Sequence, residues 1–119
     1  MSTELSQLLS RFESLWPLSG AEEWDAPGLV TGEAKQRISR VLLTVDVTSE
    51  IVEEAIDGGF DLMLAHHPFM LRGITSASED TSKGNTLAKA IRAHLAIYAA
   101  HTNADIVEGD LLTTSGVDG

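Results

Sequence analysis

Leu5, Leu8, Leu9, Phe12 and Leu15 recur at helical spacing, and this stripe predicts an amphipathic helix over residues 3–15, capped by Ser2 or Thr3. Periodicity then disappears over residues 16–37. That stretch holds both tryptophans, two of the three prolines and several glycines, which predicts an irregular or hairpin segment. Residues 38–45 are nearly all apolar or β-branched, the pattern of a buried strand, and Asp46 ends it. Thr48 or Ser49 is placed to cap a following helix. Glu50, Glu53 and Glu54 suit its positive end, and Gly58-Gly59 terminates it. A second apolar run, 62–65, stops on His66-His67-Pro68. A polar loop over 70–84 leads to a helix capped by Asn85, with Leu87, Ala88, Ile91 and Leu95 as its apolar face. A strand over 96–100 runs into His101, and beyond Asp105 the pattern dissolves into an acidic, Gly-ended stretch.

Strand–helix–strand–helix–strand alternation predicts an α/β fold, a mainly parallel sheet with helices on both faces. Its length of 119 residues is one domain's worth, and a 43% apolar fraction is enough for a core. The reading divides it into an α/β lobe over 1–107 and an irregular acidic end over 108–119. No apolar run approaches the roughly 20 residues that cross a bilayer, and Glu4 interrupts any signal-peptide pattern. Without cysteine, disulfides and thiolate metal sites are excluded, so a reducing cytoplasm is the expected setting. A formal charge of −10 disfavours nucleic acid and anionic membrane as partners.

Parallel connectivity gives the histidines their meaning. Asp46, His66-His67 and the segment from His101 to Asp105 all follow the carboxyl ends of strands, the edge where α/β sheets bind ligands. Adjacent extended residues point to opposite faces, so His66 and His67 suit two ions side by side, with Asp105 as the bridging carboxylate. Nitrogen and oxygen ligands without sulfur suit Zn, Mn or Fe. Two such ions support hydrolysis, with His101 positioning substrate or shuttling a proton. Phosphate-loop, dinucleotide, nucleophile-elbow and His-Glu-x-x-His patterns are all absent.

Plainer readings compete at each position. A bare His-His pair is more often a turn or a surface pair than a ligand set. Its place at the end of a core strand, matched by a second His-x-x-x-Asp end, is what raises it. His94 reads as structural or solvent-exposed, and Asp46 as a helix cap before a ligand. Trp16 and Trp24 read as packing residues, and the three glutamates as a solvated helix face.

Four motifs in order carry a resemblance. Ala65-His66-His67-Pro68 with Arg72-Gly73, and Ala100-His101-Thr102-Asn103-Ala104-Asp105, are similar to the two histidine motifs of the GTP cyclohydrolase 1 type 2 homolog family, also called the NIF-three-like dinuclear metal-centre hexameric proteins. Ala21-Glu22-Glu23-Trp24-Asp25 with Gly28-Leu29 and Gly32 resembles its N-terminal signature, and Val45-Asp46-Val47-Thr48 its first strand end. The likeness covers about residues 3–107. It implies the first of two three-layer α/β/α lobes and a homohexameric ring. It also implies a centre of two divalent ions held by His66, His67 and Asp105, with His101 close by. The chain departs from the pattern at Ala26-Pro27, where the family more often has Asn-Val, and in lacking the second lobe with its His-x-x-x-Glu ligands. It therefore reads as a truncated product or fragment, with loosely held metal, exposed apolar surface and no activity alone. Two functions follow from the resemblance: a metal-dependent hydrolase of a nucleotide or related small molecule, or a non-enzymatic metal-binding or adaptor protein on a ring-shaped scaffold.

Overall fold

The computed structural model of the chain describes residues 2–70 and 73–100. Its elements are strand β1 (Thr3–Glu4), helix α1 (Leu5–Leu15), a 3-10 turn (Leu18–Gly20), strands β2 (Gly28–Thr31), β3 (Arg37–Ile38) and β4 (Val41–Thr44), helix α2 (Ser49–Asp57), strand β5 (Leu62–Ala65), helix α3 (Ser82–Arg92) and strand β6 (Ala96–Ala99). The main sheet has the order β2-β6-β5-β4. The β4–β5 and β5–β6 pairings are parallel, as expected, and β2 adds an antiparallel edge against β6.

Strands β5 and β6 are buried throughout, and alternate residues feed two cores. Leu62, Leu64, Ala96 and Tyr98 meet Leu5, Leu8, Phe12 and Trp16 of the α1 layer. Met63 and Ile97 meet Val52 and Ala55 of α2 and Ala90 of α3 on the other face. Helix, sheet and helix pair thus make three layers, the expected architecture. Phe12 anchors the first core, its ring 4.8 Å from that of Tyr98 and 5.7 Å from that of Trp16. Burial pushes the Tyr98 hydroxyl's pKa up, and negative Glu13 adds to the shift.

Several boundaries differ from the sequence reading. Helix α1 starts at Leu5, and its first amides find carbonyls rather than a Ser or Thr cap: Leu5 N–H donates to Gln36 O and Ser6 N–H to Ala34 O, at 2.8 and 2.9 Å. The expected strand 38–45 is two strands in two sheets. Asp61 Oδ2 accepts the Ser39 and Arg40 amides at 2.9 and 3.1 Å and the Ser39 hydroxyl at 3.0 Å. A side chain thereby takes amides that a continuous ladder would need. Strand β4 is also an edge strand, not a fully buried one, with Leu43 50% exposed and Val45, just past its end, 57% exposed.

Residues 16–37 contain no hairpin, because β2 pairs with β6 and β3 with β1. Trp16 is packed as expected, whereas Trp24 is 60% exposed. Helix α2 follows the reading, with the Thr48 hydroxyl accepting the Ile51 amide at 3.1 Å and Gly59 turning away at φ +73°. Its Glu50, Glu53 and Glu54 are exposed as expected, although Glu53 also pairs with Lys89. Helix α3 begins earlier than expected, capped by Thr81 rather than Asn85, and it buries Gly84, Thr86 and Ala90 while Ile91 is exposed. His94 is structural: its left-handed φ of 56° ends α3, and its carbonyl accepts Gln36 Nε2 at 2.6 Å. Among the described residues no helix is long and apolar enough to cross a membrane.

Gly84 explains where α3 begins. A Cβ there would lie 1.9 Å from the Ser78 carbonyl oxygen, so the helix can approach the 78–81 turn only without a side chain. Gly84→Ala should lower stability by about 1–3 kcal/mol, since overpacking outweighs the gain in helix propensity. Gly73→Ala, with nothing within 4 Å, should stay within about 0.5 kcal/mol. Urea unfolding of both variants checks the pair.

Candidate metal centre

The backbone ladder between β4 and β5 builds the site. Their register pairs Thr44 with Ala65, so the residues two steps on, Asp46 and His67, emerge side by side at the carboxyl edge. His66 N–H donates to Thr44 O at 3.0 Å and His67 N–H to Val45 O at 2.8 Å. In a regular strand consecutive amides point to opposite sides; here both reach the β4 chain, so the backbone has turned after Ala65. The expectation that the two imidazoles diverge is therefore overturned. Their ring centroids are 5.4 Å apart with planes inclined at 38°.

Asp46, which reads from sequence as a helix cap before a ligand, is the carboxylate that the fold sets beside the histidine pair. It does not cap α2, which Thr48 does. Its Oδ1 lies 2.8 Å from His67 Nδ1. A carboxylate can only accept, so Nδ1 carries a proton, and in the neutral ring the lone pair then sits on Nε2. That is how a carboxylate prepares a histidine to bind a metal, by fixing both tautomer and ring orientation. The signal lay in parallel register, which puts Asp46 beside His67 once the strands are aligned.

His66, His67 and Asp46 are thus brought together. His101 and Asp105, the other two residues read as functional, lie outside the described residues, as does Arg72. Among the described residues no three His, Cys, Asp or Glu side chains converge closely enough to hold an ion. The residues present fit a metal as part of its ligand set: a neighbouring pair of imidazoles, one with its free nitrogen fixed by Asp46. Beside them a cavity of about 400 Å³ opens between the starts of α2 and α3, lined by Asp46, Thr48, Pro68, Phe69, Lys83 and Thr86.

A three-layer α/β/α lobe with a histidine pair just past the carboxyl end of β5 defines the class, an α/β protein whose pair lies on the edge where such sheets bind ligands. Within that class the chain belongs to the Duf34/NIF3 (NGG1p interacting factor 3) family, whose model matches residues 3–113. It is 44% identical over 104 residues to the GTP cyclohydrolase 1 type 2 homolog of Streptomyces coelicolor, covering 87% of this chain and 36% of that protein. It is 37% identical over 103 residues to the homolog of Bacillus subtilis, covering 87% and 28%. The crystal structure of a Bacillus cereus protein related to NIF3 superposes with a TM-score of 0.78 at 37% identity, over 90% of this chain and 30% of that one. The chain thus spans between about a quarter and two-fifths of the length of the curated relatives it matches.

Asp46→Ala should shift the His67 tautomer toward the Nε2–H form, read from imidazole ¹⁵N shifts. The pair is at least half exposed, and an exposed ion pair contributes about 0–1 kcal/mol, so the melting temperature should hardly move. An unchanged tautomer would remove the orienting role.

Proposed function

We propose that this lobe supplies part of a centre for two divalent ions, Zn, Fe or Mn, in a metal-dependent hydrolase of a nucleotide or related small molecule. The observation that carries the reading is the Asp46–His67 contact, which leaves Nε2 of an imidazole at a strand end free to ligate. In this reading His66 and His67 would each offer a ring nitrogen to the ions, and Asp105 would be the carboxylate that helps hold them. His101 holds substrate or carries a proton. Bound ions would supply Lewis acidity and a nucleophile at neutral pH. The nucleotide class rests on the name the relatives carry, GTP cyclohydrolase 1 type 2 homolog. A cytoplasmic homohexamer is the assembly the family resemblance implies.

Because the chain spans a minor part of its relatives, three ligands for two ions leave each ion short of the three protein ligands usual for a catalytic metal. The 119-residue chain alone should therefore hold metal loosely and turn nothing over. Dialysis against a mild chelator followed by elemental analysis checks this, and retention of two tight ions with turnover would overturn the ligand assignment. A non-enzymatic metal-binding or adaptor role is the second reading, because a neighbouring histidine pair accounts for metal binding without requiring turnover. Assay of a full-length relative with GTP and a panel of phosphoesters separates the two. Turnover lost in the variant matching His67→Ala supports the hydrolase. Metal binding with no turnover of any compound favours the adaptor.

A further inference from the structure

Lys83 breaks a local rule. It lies in the first turn of α3, where the helix dipole disfavours a cation, and that turn carries no acidic residue to offset it. Among the described residues its ammonium joins none of the ion pairs. Its Nζ instead donates to the Phe69 carbonyl at 2.7 Å and lies 5.5 Å from the centre of the Phe69 ring. Phe69 is buried and stands two residues after His67, with only Pro68 between them.

The base from which Lys83 reaches is fixed. Thr81 Oγ1 donates to the Ser78 carbonyl at 2.7 Å and accepts the Gly84 amide at 3.0 Å, and Gly84 admits no side chain against the same carbonyl. On the far side, the His66 and His67 amides are held by β4. The His66–Phe69 turn is therefore pinned at its start by the sheet and at its end by one lysine.

We propose that Lys83 is a positioning residue for the metal centre: its bond to the Phe69 carbonyl holds the turn that aims the His66 and His67 rings. This rests on the metal reading above. Geometry fixed from both ends keeps ligands preorganised, and an outer group that releases them weakens the site without touching the ion.

Cobalt(II) titration of the 119-residue chain, followed by visible d–d absorption and imidazole NMR, tests this with the metal alone as probe. Lys83→Met keeps the aliphatic stem and removes the donor. It should weaken cobalt binding on the order of tenfold, the lower end of what loss of an outer-shell partner costs, and alter the d–d spectrum. Lys83→Arg, which restores a donor, should recover most of both. The melting temperature of the metal-free Lys83→Met variant should stay close to that of the parent. An unchanged affinity and spectrum in Lys83→Met would overturn the positioning role and leave the metal centre standing. A large drop in metal-free stability would make the lysine a structural tie and equally overturn it. A parent chain that takes up no cobalt even at millimolar free metal, where loose binding would still register, overturns the metal reading and the role of Lys83 with it.

Discussion

The β4–β5 ladder is the constraint on which the site depends. Four residue pairs in parallel register, Val41 to Thr44 against Leu62 to Ala65, decide which side chains meet where the strands stop. Strand alternation makes this strict, because a slip of one residue would exchange faces along the whole strand. Asp46 and His67 are neighbours only in the observed register. The sheet thus sets the chemistry through its backbone, and the turn after Ala65 adds the one departure from regularity that brings both rings together.

The same separation of roles explains what could be read from sequence. Helix α2 was legible with its cap narrowed to Thr48 or Ser49 and its Gly58-Gly59 end, and so were β5 and β6, because each signal is local. What escaped depended on distant partners. Strand β2 is recognisable only through its pairing with β6, across most of the chain. The split of residues 38–45 is made by Asp61, and the early start of α3 by the Gly84 contact with Ser78. The candidate site divides in the same way. The histidine pair was visible as a motif, while its carboxylate partner required the strand register and the proximity of the two rings required the turn. His101 and Asp105 remain sequence readings.

Family membership and geometry bear on different parts of the problem. Membership fixes the fold and the order of motifs along the chain. Geometry adds what a motif cannot express: which imidazole nitrogen is free, and which groups steady it.

The sheet also acts as a partition. Leu64 and Met63 are neighbours in sequence, yet one packs under α1 and the other under α2 and α3. Side chains of the two cores meet through backbone alone, so a volume change on one side need not be answered by repacking on the other. The starts of α2 and α3 border the histidine turn, so a volume change in the second core bears on the site more directly than one under α1. One lobe thus carries two separate packing problems, divided by the thickness of a strand.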